Sequence, residues 1–145
     1  TSFPENDMFD IDKIQEQSEK TRNIPVGTRP DGVEVGFTIY GPQSEAYRRA
    51  DRRLQVLATE KAIAQRKTDD KVPTDAEIAE RVVAATEAAN DLLLGECVAG
   101  WYGFQAGGAD APFTPANLEA VLRVNPKWKK RLVNEIEDGL SFTEG

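Results

Sequence analysis

The chain has 145 residues, enough for one domain with a single modest core, and it has no run of about 18 apolar residues that would span a membrane. Its formal net charge of −7 argues against nucleic acid as the main partner. Histidine is absent and cysteine occurs once, which excludes Ser-His and Cys-His triads, histidine metal sites, an internal disulfide and a cysteine-rich zinc site.

Residues 1–20 form an acidic segment with few apolar residues. Six acidic residues against Lys13 and Lys20 give this segment a charge of −4. The composition predicts a flexible arm that orders on a partner, with a short helix starting near Asp10. No basic-then-apolar signal pattern stands at the N-terminus, so a secretory route is not expected.

A β-hairpin is predicted over residues 21–42. Pro30-Asp31-Gly32 is typical of a turn, because proline presets φ and glycine reaches positive φ. The residues after it alternate in polarity with the period of a half-buried strand: Val33, Val35, Phe37 and Ile39 against Glu34, Gly36, Thr38 and Tyr40. Since a hairpin alone is marginal in water, the sheet must pack on helices or gain strands from another subunit.

Two long helices are predicted over residues 43–98 and are expected to form an antiparallel hairpin. Ser44 caps the first, from about Glu45 to Lys67, and a capping box at Thr74 and Glu77 starts the second, which reaches residues 94–98. The first helix has a broad apolar stripe that includes Tyr47, Ala50, Leu54, Leu57 and Ile63, and its arginines lie mostly on the flanks of that stripe.

The first of these helices is basic, with a charge of +4 over residues 45–67. The acidic arm and this helix could pair with each other or with neighbouring copies, or both could be solvated faces. Cys97 follows three leucines and precedes Val98, which favours a buried, inert thiol over a nucleophile. A single thiol of this kind fits a reduced, intracellular setting.

Residues 99–145 are predicted to form a C-terminal helical motif. Trp101-Tyr102-Gly103 is interpreted as a turn, and Thr114-Pro115 and Asn125-Pro126 as two helix starts with proline in the first position. Leu140 and Phe142 are expected to fold back onto the core. Trp101 and Trp128 are interpreted as core anchors, with exposed partner anchors as the alternative. The basic residues of the last helix are interpreted as a solvated face, with a partner patch as the alternative.

The predicted fold class is α+β and mainly α-helical, with an N-terminal β-hairpin packed on a helical hairpin and two short C-terminal helices. The arm at residues 1–20 precedes a single domain at residues 21–145. No P-loop, dinucleotide fingerprint or calcium loop is present, so we predict no enzyme, no cofactor and no metal. Candidate partner-binding residues are Arg48, Arg49, Arg52, Arg53, Trp101, Phe113, Trp128 and Lys129.

Several motifs stand in a specific order in the last third of the chain. They are Val98-Ala99-Gly100-Trp101-Tyr102-Gly103, then Pro112-Phe113-Thr114-Pro115-Ala116-Asn117-Leu118, then Asn125-Pro126-Lys127-Trp128, and finally Ser141-Phe142. Upstream, Gly41-Pro42-Gln43-Ser44-Glu45-Ala46-Tyr47 leads from a strand into a long helix. In this order, over residues 33–58 and 95–142, the chain resembles the tail assembly chaperones of long-tailed bacteriophages of the siphovirus and myovirus type.

The resemblance implies a non-catalytic protein that binds the tape-measure protein and recruits the tail tube protein in the host cytoplasm during virion assembly. A homo-oligomer is compatible with it, and neither nucleic acid nor a membrane is an expected partner. The alternative is a structural minor tail or connector protein retained in the virion tail, where the hairpin would donate strands to a neighbour. A third reading is an adaptor outside phages that binds through an α-helical groove.

Overall fold

A computed structural model describes residues 10–68 and 72–138, and it contains five helices and five strands within these ranges. The helices are α1 (Ile11–Ser18), α2 (Glu45–Thr68), α3 (Asp75–Cys97), α4 (Pro115–Val124) and α5 (Pro126–Glu137). The strands are β1 (Thr21–Thr28), β2 (Glu34–Tyr40), β3 (Val98–Tyr102), β4 (Gln105–Ala106) and β5 (Ala109–Asp110). The predicted α+β, mainly helical fold class is confirmed.

The main sheet is antiparallel with the strand order β1-β2-β3. The predicted hairpin is present as β1 and β2, whose register runs from Thr21 opposite Tyr40 to Thr28 opposite Glu34. The third strand comes from the same chain, because β3 pairs with β2 and sets Trp101 opposite Phe37. The sheet therefore gains its third strand within the chain and leaves β1 as an outer strand.

The interpretation of Trp101-Tyr102-Gly103 as a turn is wrong for its first two residues. Trp101 and Tyr102 belong to β3, and the chain turns only at Gly103, whose φ is 81°. The expected start of a C-terminal helical motif at residue 99 thus falls inside a strand of the sheet. Pairing with β2 decides this outcome, and such a long-range contact leaves little local signal in the sequence.

Helices α2 and α3 begin at the predicted residues. The Ser44 hydroxyl accepts a hydrogen bond from the Tyr47 amide at 3.1 Å and donates one to the Gly41 carbonyl at 2.7 Å. At the start of α3, the Thr74 hydroxyl accepts from the Glu77 amide at 3.2 Å. The Glu77 carboxylate accepts a hydrogen bond from that same hydroxyl at 3.1 Å. In the predicted capping box, this carboxylate accepts from the Thr74 amide instead.

The short helix predicted near Asp10 is α1, and its N-terminus is capped by the Asp10 carboxylate, which accepts from the Asp12 amide at 3.0 Å. After α1, the Glu19 carboxylate accepts a hydrogen bond from the Glu45 amide at 2.9 Å. An acidic group is therefore docked at the positive end of the α2 dipole. The remainder of the predicted arm, at residues 1–9, lies outside the described residues, as do Leu140 and Phe142.

The two C-terminal helices start differently from each other. Thr114 caps α4 by accepting from the Asn117 amide at 3.1 Å, as predicted. The prediction that Asn125-Pro126 starts a helix with proline in the first position is confirmed, although Asn125 makes no side-chain cap to α5. Its Nδ2 donates instead to the Val121 carbonyl at 2.9 Å. A single residue separates the two helices, and its side-chain and backbone N–H groups both donate to the Val121 carbonyl near the end of α4.

The core lies between the sheet and one end of the helices. Its buried apolar residues are Ile24, Phe37, Ile39, Ala46, Ala50, Leu93, Leu94, Cys97, Val98, Leu118, Leu122, Leu132 and Ile136. On α2 no described residue beyond Ala50 is buried, and on α3 none before Leu93 is. Most of the α2–α3 hairpin therefore projects away from the core.

Candidate functional site

Two clefts with apolar floors lie on the surface beside α3. No helix within residues 10–68 and 72–138 combines the length and the apolar character needed to cross a bilayer. The same residues contain no group of three or more side chains arranged to hold a metal ion.

The first cleft, which we call the hairpin groove, runs along α2 with one contribution from α3. It is lined by Arg49, Arg52, Arg53, Val56, Leu57, Glu60 and Leu92, and its volume is about 560 Å³. Val56 is 50% exposed, whereas Leu57 and Leu92 are half-buried. The floor of the groove is thus apolar surface that nothing in the described part of the chain covers.

The apolar surface continues beyond the hairpin groove toward the tip of the helices. Ile63, seven residues after Val56, lies on the same side of α2 and is 49% exposed. On α3, Ile78, Val82 and Val83 are exposed as well. Single exposed apolar residues are common on protein surfaces, but several on one projecting helical hairpin make it a candidate interaction surface.

At the end of the groove nearest the core, a carboxylate from α3 forms ion pairs with two of the arginines. Glu96 accepts a hydrogen bond from Arg49 Nε at 3.0 Å and forms an ion pair with Arg53 Nη1 at 2.9 Å. Its carboxylate raises the pKa of the Arg49 guanidinium. These ion pairs join the start of α2 to the end of α3, so the helices are antiparallel as predicted.

The four candidate arginines therefore have different surroundings. Arg49 and Arg53 pair with Glu96, and Arg48 donates to the Gln43 carbonyl at 3.3 Å instead of lining the groove. Arg52 lines the groove and makes no hydrogen bond or ion pair with any other residue of the described ranges. It is the arginine of the groove whose guanidinium is most available to a partner.

The second cleft, the α4 cleft, lies between α3, α4 and α5 and has a volume of about 660 Å³. Leu94, Leu118 and Leu122 form its floor, and Phe113, the candidate partner residue, stands at its side. At its rim, the candidate residue Lys129 forms an ion pair with Asp91, and Arg123 pairs with Glu119 at 2.9 Å. These rim charges are already matched within the chain.

Both candidate tryptophans pack in an aromatic cluster against the core. Trp101 stacks on Phe104 with ring centroids 4.6 Å apart, and Trp128 meets Phe37 at 6.3 Å and Phe104 at 6.1 Å. Phe113 meets Trp101 edge-on at 5.5 Å. The contacts favour the interpretation of both tryptophans as core anchors, and the role of exposed partner anchor stays a prediction.

Sequence reasoning missed Val56, and it did not place Leu92 on the floor of the hairpin groove. Leu57 and Ile63 belong to the predicted apolar stripe of the first long helix, but the sequence does not indicate that this part of the stripe stays uncovered. The available signal was the spacing of Val56 and Ile63, two apolar residues seven positions apart next to exposed arginines. Phe104, at the centre of the aromatic cluster, was also not singled out.

The chain matches no protein-family model, no curated protein and no solved structure. The resemblance to tail assembly chaperones therefore stays a prediction. Of the motifs that carry it, Val98–Gly103 forms β3 and its turn, Pro112–Leu118 leads into α4, and Asn125–Trp128 begins α5. Ser141-Phe142 lies outside the described residues. The described motifs contribute to the aromatic cluster and to the α4 cleft, and none of them lines the hairpin groove.

Proposed function

We propose that the chain is a non-catalytic tail assembly chaperone of a long-tailed bacteriophage. It binds the tape-measure protein in the host cytoplasm, keeps it soluble, and brings it together with the tail tube protein. The observation that carries the proposal is the uncovered apolar floor of the hairpin groove on a projecting pair of helices. The identity of the partners comes from the family resemblance.

The shape of the groove suits a helical partner. Two antiparallel helices that expose a shared apolar seam can accept a third helix in the groove between them. Helix α2 has 24 residues and a length of roughly 36 Å, which gives a partner helix several turns of contact. Such contacts would cover the apolar row of a long helical protein and so reduce its tendency to aggregate.

The strength of one contact is expected to be modest. Covering a half-exposed valine, leucine or isoleucine gains about 1 kcal/mol. A few such residues therefore gain about 3–5 kcal/mol before the cost of association is subtracted, which leaves weak binding. Many copies bound along one long partner would supply the avidity that a single copy lacks.

The test is co-expression of the full chain with a tape-measure protein encoded beside it, followed by measurement of how much tape-measure protein stays soluble and co-purifies. We expect a soluble complex with the natural chain and its loss in the double variant Val56→Asp/Ile63→Asp. Val124→Asp is the matched control, because Val124 is exposed on α4 away from the hairpin groove. All variants should keep the same circular dichroism and melting temperature. If the natural chain neither solubilises nor retains the tape-measure protein, the proposal fails.

A structural role in the mature tail is the second candidate, and the sheet favours it in one respect. Strand β1 is an outer strand, and its far side has no partner strand in the described ranges. Such an edge can pair with a strand of a neighbouring subunit. Quantitative mass spectrometry of purified virions separates the two functions. Stoichiometric presence of the chain supports the structural role, and its absence supports the chaperone.

A further inference from the structure

The charge along the hairpin groove is unevenly distributed. Arg49, Arg52 and Arg53 all line the end nearest the core, while Glu96 reaches two of them from α3 and is only 17% exposed. The formal charge of these four residues together is +2. Positive charge therefore remains available at this end of the groove even after the internal ion pairs are counted.

The positive charge does not extend along the whole groove. Glu60 lines it seven residues after Arg53, on the same side of α2 and about 10 Å closer to the tip. The apolar residues Val56 and Leu57 lie between these two positions. A helix lying in the groove therefore meets arginines over one part of its length, apolar side chains next, and then a carboxylate.

We infer that the hairpin groove selects amphipathic helices that carry carboxylates beside one end of their apolar row. The inference rests on the proposed function in taking a helix as the occupant, and it adds the chemistry by which that helix is chosen. The apolar row covers Val56, Leu57 and Leu92, while the carboxylates face the arginines. Arg52 contributes most, because its guanidinium has no partner within the described ranges.

Arg49 and Arg53 add to the selection without losing their ion pairs. A guanidinium has five N–H donors in a planar fork, and the ion pairs with Glu96 involve one Arg49 nitrogen and one Arg53 nitrogen. The other donors remain for a second carboxylate. The apolar floor favours a protein helix over a nucleic acid strand, which would bind through aromatic stacking and phosphate contacts instead.

Two designed helical peptides of about 21 residues test the inference. They share one leucine row, and one carries glutamates beside the first half of that row where its twin carries lysines. Fluorescence anisotropy with the full chain should show about tenfold tighter binding of the glutamate peptide in about 50 mM salt, because two or three exposed ion pairs combine. The difference should shrink in about 500 mM salt, where charges are screened within a few ångströms.

Arg52→Glu should abolish most of the preference for the glutamate peptide. Lys130→Glu is the matched control, since Lys130 is exposed on α5 outside the groove, and it should leave the preference unchanged. The inference is overturned if neither peptide binds, or if both bind equally at low salt. It is also overturned if an oligonucleotide of similar length binds more tightly than the glutamate peptide.

A second copy of the chain is the rival occupant, because α3 is itself acidic. Light scattering of the natural chain and of Arg52→Glu distinguishes it: a dimer that is lost in Arg52→Glu would show that the groove is a self-interface and would overturn the inference. Co-purification of the tape-measure protein is measured separately and does not depend on either peptide. If the tape-measure protein co-purifies but the chain does not prefer the glutamate peptide, the proposed function holds and the inference about carboxylates fails.

Discussion

The indole Nε1 of Trp101 donates a hydrogen bond to the carbonyl oxygen of Ala111 at 3.0 Å. The Ala111 amide in turn donates to the Phe104 carbonyl at 2.9 Å, so the segment after β3 folds back beside the indole. Phe113 then reaches the edge of the Trp101 ring. The tryptophan, the glycine and the Pro-Phe pair that follow one another in the sequence thus belong to one loop, which folds around Trp101.

The Trp101 hydrogen bond should be measurable through a matched pair of substitutions. Trp101→Phe and Trp128→Phe remove the same atoms from half-buried indoles in one aromatic cluster, but only Trp101 has a hydrogen bond from its Nε1 within the described residues. We expect Trp101→Phe to lower the free energy of unfolding by about 1 kcal/mol more than Trp128→Phe. Urea unfolding of both variants measures this, and equal losses would contradict it.

Gly103 should tolerate substitution poorly because of both its backbone and its neighbours. Its φ is 81°, and an added Cβ would contact the Glu34 carbonyl oxygen and come within 3.0 Å of Val35 Cα. We expect Gly103→Ala to lower the free energy of unfolding by about 2–4 kcal/mol. Gly100→Ala, three residues earlier in β3, is the control, since no atom lies within 4 Å of its added Cβ. Thermal unfolding should show a clear loss for the first variant and little change for the second.

Local signals in the sequence predicted where the helices begin, and long-range contacts decided the rest. Ser44, Thr74 and Thr114 each accept from the amide three residues further on, so their effect can be predicted from the neighbouring sequence. The third strand could not be predicted this way, because Trp101 becomes part of a strand only by pairing with Phe37, which is distant in the chain.

The candidate site was predicted in part for a similar reason. Periodicity identifies the apolar side of α2, but it does not say whether another element covers that side. Coverage ends at Ala50, because the sheet and the C-terminal helices are shorter than the hairpin they pack against. The number of arginines in α2 is enough to predict a basic helix. The pairing of Arg49 and Arg53 with Glu96 could not be predicted, because it depends on how the two helices align.

Cys97 should react slowly in the folded protein. The residue is fully buried, and burial raises the pKa of its thiol to about 12. The reactive species is the thiolate, so alkylation by iodoacetamide at about pH 8 should be at least roughly a thousandfold slower than for an exposed cysteine. The control is the double variant Cys97→Ala/Ala99→Cys, which moves the thiol to an exposed position two residues away. Mass spectrometry of timed samples measures both rates, and similar rates would show that Cys97 is accessible.

The turn between β1 and β2 should become less stable in acid. Asp31 accepts hydrogen bonds from Arg29 Nε at 3.0 Å and Nη2 at 2.9 Å, and from the Val33 amide at 3.3 Å. The bonds from Arg29, followed by the bond from Val33, lower the pKa of the Asp31 carboxyl in the folded state. A lowered folded pKa adds stability that is fully present above the unfolded value of about 3.9 and is lost as pH falls through the folded value.

Asp31→Asn should therefore be less stable than the natural chain from about pH 5 to 8, and the difference should shrink as the pH falls below about 4. Because the carboxyl is exposed, the difference is expected to be small, so urea unfolding at closely spaced pH values is the appropriate measurement. Asp110→Asn removes the same charge from an exposed residue of β5 and controls for net charge. A stability difference that persists undiminished at pH 2, or one that Asp110→Asn reproduces, would mean that the Arg29–Asp31 contact does not stabilise the turn.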